Sequence, residues 1–216
     1  MEARELTVPG SWAFTPQQWP DQRGTFLEWL KADVLAQAIG HPFTVKQANH
    51  SVSSRGSLRG VHFATVPPGQ AKYVYCTRGA VLDVVVDLRV GSPTFGVHDT
   101  VLLDEVDRRA IYLPEGMGHA FLALADDTSV SYLCSEPYAP ASEHAVHPLD
   151  RELDLPWPAG VTPQLSPKDE AAPSLAEALA QGLLPSYDAC TAFYAELCGS
   201  ALSGSVPVSL VGGQGQ

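Results

Sequence analysis

Between about residues 43 and 147 the chain advances in short β-branched and aromatic bursts, each closed by glycine, proline or aspartate. Tyr73-Val74-Tyr75-Cys76 runs into Gly79, and Leu82, Val84, Val86 and Leu88 then alternate with Asp83 and Asp87. A period of two marks a half-buried strand. Thr100–Leu103, Ala110–Leu113, Ala120–Leu124 and Val130–Cys134 repeat the pattern, with turn residues between them. Strands this closely spaced, with no helical periodicity in between, must pair with one another, which points to an antiparallel sandwich or barrel. The 216 residues suffice for one sizeable core.

The pattern changes after about residue 170. Ser174-Leu175-Ala176-Glu177 reads as a capping box, Gly182 suits the end of the helix it opens, and Pro185-Ser186 start a second helical stretch through Tyr187, Phe193, Tyr194 and Leu197. The expected division is a β domain over 1–173, a helical annex of that domain over 174–199, and a flexible Gly- and Ser-rich tail over 200–216.

Several function classes are disfavoured at once. No apolar run approaches the roughly 18 residues of a membrane span. The opening MEARELTVPG is acidic where a signal peptide would be basic and then apolar, so a soluble, unexported, cytoplasmic protein is expected. A formal net charge of −11 argues against a broad nucleic-acid face, although a few arginines can still hold a small anion. Cys76, Cys134, Cys190 and Cys198 show no CxxC spacing and read as free thiols in a reducing compartment.

The chemically informative segments are Leu58-Arg59-Gly60-Val61-His62-Phe63, Gln70-Ala71-Lys72, Pro114 to His119, Tyr132, Tyr138 and Ser166-Pro167-Lys168-Asp169. Singly, each has an ordinary structural explanation: a packed histidine, a core aromatic, a solvated turn pair, a surface arginine. Jointly they supply a base, a cation to hold an enolate and a phenol to return a proton. Spacing alone does not bring them together in space.

The order of these segments resembles the dTDP-4-dehydrorhamnose 3,5-epimerase family. The likeness runs from Asp21-Gln22-Arg23-Gly24 with Phe26 and Glu28, through Gln47-Ala48-Asn49-His50-Ser51 and Leu58 to His62. It continues over Asp83, Asp87-Leu88-Arg89, Gly91 to Gly96 and Pro114 to Phe121, and ends on Tyr132, Tyr138, Trp157-Pro158 and Ser166 to Asp169. It spans about residues 10 to 175. The resemblance implies an all-β, cupin-like jelly-roll β-sandwich forming a homodimer with exchanged N-terminal strands. It also implies action on a dTDP-linked 4-keto-6-deoxy sugar, inverted at carbon 5 and often carbon 3, with no metal or other cofactor.

Carried onto this chain, the resemblance makes His62 the base, Asp169 its carboxylate partner, Lys72 the cation at the keto oxygen and Tyr132 the acid. Arg59, and Arg23 from the neighbouring subunit, would hold the diphosphate. Phe26, Glu28, Gln47, Asn49 and Tyr138 would cradle nucleotide and sugar, with Tyr138 stacked on the thymine, and His119 would face the sugar. A metal is disfavoured on the residues themselves. Pro114 to His119 matches the second metal-binding segment of cupins, but His62 is followed by Phe63-Ala64 rather than a second histidine, and Lys72 stands where a ligand would be wanted.

Two departures from the family pattern stand out: Ala64 replaces a common glutamine, and Ala120 a common glycine. Both are expected to change how the sugar sits, with Ala64 making room, and with their surroundings they favour a member from an antibiotic deoxysugar pathway. A carbon-3-only epimerase, a cupin-like ketoisomerase of the same substrate class, a metal-dependent cupin and a non-catalytic sugar-nucleotide binder are the rival readings.

Overall fold

Among the described residues, thirteen short strands and four helices follow one another. They are β1 (Glu2–Glu5), β2 (Trp12–Thr15), β3 (Gln18–Asp21), β4 (Gly24–Leu27), α1 (Ala32–Ile39), β5 (Gln47–Ser53), β6 (Leu58–Ala64), β7 (Lys72–Arg78), β8 (Ala80–Asp87), β9 (His98–Asp104), β10 (Ala110–Leu113), β11 (Met117–Ala123), β12 (Thr128–Cys134), β13 (Glu143–Ala145), α2 (Pro167–Glu170), α3 (Leu175–Ala180) and α4 (Tyr187–Ser203). The computed structural model describes residues 1–203, so most of the expected tail lies outside the described residues, and its first four positions belong to α4.

The strands form two antiparallel sheets, ordered β1-β2-β10-β7-β12-β5 and β13-β6-β11-β8-β9, plus the separate hairpin β3-β4. This is the cupin-like β-sandwich. Strand alternation sorts the side chains into three apolar layers. Val74, Cys76, Val81, Val85, Ile111, Phe121 and Val130 meet between the sheets. Tyr73, Tyr75, Ala110 and Tyr112 face outward from the first sheet and are covered by α1 through Leu35. Val61, Phe63, Val84 and Val86 face outward from the second and are covered by Leu153, Leu155, Leu175, Ala178 and Leu184.

This third layer corrects the half-buried reading of β8. Asp83 and Asp87 lie on its inner face and are wholly buried, because the annex covers the apolar side that would otherwise meet solvent. Asp87 accepts hydrogen bonds from Arg89 Nε (2.9 Å) and Nη2 (2.8 Å), Ser92 Oγ (2.6 Å) and Thr94 Oγ1 (2.7 Å). Burial pushes its pKa up, but these partners outweigh it and hold the carboxyl below its ordinary range.

Local signals account for the helices. In α3 the Ser174 and Glu177 side chains cap each other's backbone, and Gly182 follows in the left-handed region. The short α1, which ends at left-handed Gly40, precedes the strand-rich stretch and was not anticipated from the sequence.

Candidate active site

A bulge sets up the site. In the β6–β11 pairing His119 faces His62 and Phe121 faces Arg59, so three steps on β6 match two on β11. Simple alternation would send Arg59 and His62 to opposite faces of the sheet; the extra residue turns both toward the interior. Gly60 allows this. Its φ is +115°, and a Cβ there would lie 2.3 Å from the His119 carbonyl oxygen and 2.7 Å from Ala120 Cα.

Arg59, His62, Lys72, His119, Tyr132 and Asp169 line one cavity of about 420 Å³, together with Ser51, Ser57, Gln164, Ser166 and Lys168. His62 and His119 come from the second sheet, Lys72 and Tyr132 from the first, so base and phenol candidates stand on facing walls.

His62 Nε2 lies 2.6 Å from Asp169 Oδ1. Asp169 is itself held: Ser166 caps α2, its Oγ accepting from Asp169 N (3.1 Å) and donating to Asp169 Oδ2 (2.9 Å). Burial would raise the Asp169 pKa, yet the hydrogen bond and charge of His62, with Ser166 and Lys168, lower it. An ionised Asp169 therefore accepts a hydrogen bond from Nε2–H, and the lone pair of the neutral ring sits on Nδ1.

A second histidine–carboxylate pair stands beside the first. His119 Nε2 is 2.9 Å from Oδ2 and 3.1 Å from Oδ1 of Asp83. Burial drives the Asp83 pKa up, against the pull of His119 and Lys72. Lys72 loses hydration and its pKa falls, opposed by Glu143, Cys134 and Asp83. Burial, with Cys134 next, pushes the Tyr132 phenol up, so it stays protonated at neutral pH; the charge of Arg59 and the Asn49 amide act the other way.

The remaining expected residues lie elsewhere. Arg23, Phe26 and Glu28 sit on or beside the β3-β4 hairpin. Arg23 pairs with Asp21 at 2.5 Å, and Phe26 is 67% exposed, 5.8 Å from the Trp19 ring. None of the three lines that cavity. Gln47 and Asn49 bond to each other on β5, and Tyr138 lies on a second cavity of about 290 Å³ with Ala64 and Glu143.

Ala120 corrects an expectation: it is fully buried in the layer beneath the annex and faces away from the cavity. Asp83, Ser51, Ser57, Gln164 and Lys168 escaped sequence reasoning as site residues. Asp83 passed for the polar side of an alternating strand, and Gln164 reaches the wall only through its bridge to Ser57. Among the described residues, no group of three or more His, Cys, Asp or Glu side chains is arranged to hold a metal ion.

A cupin-like sandwich whose polar cavity carries a carboxylate-bound histidine facing a phenol has the build of an acid–base isomerase. The chain belongs to the dTDP-4-dehydrorhamnose 3,5-epimerase family, whose model matches residues 5–177. It is 58% identical over 193 residues to a dTDP-4-dehydrorhamnose 3,5-epimerase of Mycolicibacterium smegmatis, covering 89% of this chain and 95% of that one. It is 57% identical over 192 residues to a dTDP-4-dehydrorhamnose 3-epimerase of Streptomyces niveus, covering 89% and 92%. The crystal structure of NovW, a 4-keto-6-deoxy sugar epimerase from the novobiocin biosynthetic gene cluster of Streptomyces spheroides, superposes with a TM-score of 0.86 at 57% identity, covering 88% of this chain and 95% of NovW.

Proposed function

We propose that this chain epimerises a dTDP-linked 4-keto-6-deoxy sugar at carbon 5, and at carbon 3 as well in the fuller reading. The observation that carries it is the placing of His62, bonded to Asp169 at 2.6 Å, across one cavity from Tyr132. A carbon beside a ketone is acidic because the electron pair left behind spreads onto the carbonyl oxygen. His62 Nδ1 takes the proton, the C–H pair becomes the enolate, and the imidazolium is steadied by Asp169. Lys72 stands ready for the oxyanion. Tyr132 then gives its proton to the opposite face: its O–H breaks as the new C–H forms, the phenolate recovers a proton from water, and the imidazolium of His62 returns its proton to the hydroxide left behind.

Arg59 supports binding of the diphosphate, with Arg23 supplied by a second subunit. The hairpin that bears Arg23 joins neither large sheet and exposes Trp19 and Phe26, which suits exchange between protomers of a homodimer. Phe26, Glu28 and Tyr138 fit a nucleotide cradle completed by that partner. All four cysteines are free, in keeping with a reducing, cytoplasmic compartment. A carbon-3-only activity is the second reading, favoured by the likeness to the Streptomyces niveus 3-epimerase.

The test is incubation with dTDP-4-keto-6-deoxyglucose in deuterated water, followed by proton NMR. Deuterium should enter carbon 5, carbon 3 or both, and the position separates the two readings. No incorporation into this compound or its 2-deoxy and amino variants overturns the proposal.

A further inference from the structure

Arg23, Arg78, Arg89 and Arg109 each meet a carboxylate, at Asp21, Asp127, Asp87 and Asp107. Arg59 lines the cavity and belongs to none of the ion pairs among the described residues. Its guanidinium is tethered by a neutral group instead: Arg59 Nε donates to Ser53 Oγ at 3.2 Å.

The bond crosses the sandwich. Arg59 lies on β6 of the second sheet, and Ser53 on β5, an edge of the first. Ser53 shares its face of β5 with Ser51, which lines the cavity, while Ala48, His50 and Val52 alternate to the other face and are exposed. Ser53 itself is 3% exposed, so its hydroxyl is a fixed point for an arginine that is otherwise open to solvent.

Which atoms are bound decides what stays free. A guanidinium only donates, so Ser53 Oγ accepts. The side edge of the fork needs Nε and is therefore blocked. The end edge, Nη1 with Nη2, is left for two oxygens of one phosphate group. A serine does this without cancelling the charge, as a carboxylate would. An arginine already held in one conformation also loses less freedom when the ligand arrives.

We propose that Ser53 is a positioning residue for the diphosphate: it anchors Arg59 through Nε so that the guanidinium meets the anion end-on with its charge intact. The inference rests on the epimerase reading, in which Arg59 holds the diphosphate, and adds a side chain that acts only through Arg59.

The probe is dTDP, titrated by calorimetry. Ser53→Ala should raise its Kd about tenfold, the scale of one lost bond to a charged group. In an Arg59→Ala background the same change should alter Kd by less than about twofold, because the cycle isolates what Ser53 does through Arg59. With dTDP-4-keto-6-deoxyglucose in deuterated water, Ser53→Ala should raise KM about as much as Kd while kcat for exchange falls less than about threefold. Ser53→Thr and Ser53→Val share one shape and differ in the hydroxyl. Whatever the added branch does to packing, Ser53→Thr should bind dTDP about tenfold more tightly than Ser53→Val.

A Kd for Ser53→Ala within about twofold of wild type, or an equal loss in the Arg59→Ala background, overturns the inference. Equal affinities in Ser53→Thr and Ser53→Val overturn it too, as does a fall in kcat with KM unchanged. A wild type that binds dTDP but exchanges nothing brings down the epimerase reading and leaves the anchor standing. A wild type that binds no dTDP brings down both.

Discussion

Replacing Asp169 with asparagine probes the base most directly, because it keeps shape and removes charge. The imidazolium that forms as His62 takes the proton stands against a carboxylate only 2.6 Å away, atom to atom. With charge centres about 4 Å apart and an effective dielectric near 20, the attraction is about 4 kcal/mol. The His62 side chain is 33% exposed, so screening brings the useful range to about 2–4 kcal/mol. At about 1.4 kcal/mol per decade, that predicts a roughly 30- to 1,000-fold fall in the rate of proton removal.

Geometry pushes toward the upper end. Ser166 Oγ accepts from Asp169 N and must donate its own proton to the 169 side chain. In Asp169→Asn the amide oxygen therefore stays with Ser166, and the NH2 group faces His62 Nε2. Nε2 must then accept, the ring proton moves to Nδ1, and the lone pair needed for catalysis is lost. Adding Ser166→Ala frees the amide to turn its oxygen toward Nε2, so the double variant should recover at least threefold of the lost rate. The assay is deuterium exchange into the dTDP-4-keto sugar by NMR, with a thermal melt to show that the fold is kept. Exchange in Asp169→Asn within threefold of wild type would refute the electrostatic argument. No recovery in the double variant would refute the tautomer argument.

Other perturbations give separate expectations. Because burial lowers the Lys72 pKa, exchange should decline on the alkaline side at a pH below the ordinary lysine value of about 10.4. Lys72→Met should remove that limb and slow exchange about 10²- to 10³-fold, as expected for loss of an oxyanion donor; an unchanged alkaline limb in the variant contradicts the assignment. Asp87→Asn breaks a buried pair with Arg89 and should destabilise the fold by about 3–5 kcal/mol at pH 7 in urea melts. The folded pKa of Asp87 lies below the unfolded value of about 3.9, so its contribution is present above that value and fades as pH falls through the folded one. The gap between wild type and variant should therefore narrow below about pH 4, and a gap that widens there contradicts the sign. Gly60→Ala places a methyl against the His119 carbonyl and should destabilise by about 3 kcal/mol or more; a melt within 2 °C of wild type, roughly 1 kcal/mol at this chain length, would show that the bulge does not need glycine.

What the sequence made legible, and what it hid, divides along the range of the forces involved. Alternation is local, so β8, β9, β10, β11 and β12 stand close to where the pattern puts them, and the Ser174–Glu177 box predicts α3 because capping concerns four adjacent residues. What covers a strand is not local. Asp83 and Asp87 read as the wet side of β8, and nothing near them in the chain reports that the annex, some ninety residues on, would take over the other face. The bulge was equally hidden. Arg59 and His62 are three apart, a spacing that alternation assigns to opposite faces, and only the β11 register shows that they share a wall. Resemblance to the family supplied the convergence that spacing could not. A resemblance transmits which residues matter near a site. The direction of each donor is a property of the folded chain, and at Asp169, held by Ser166, it decides which nitrogen of His62 keeps the lone pair.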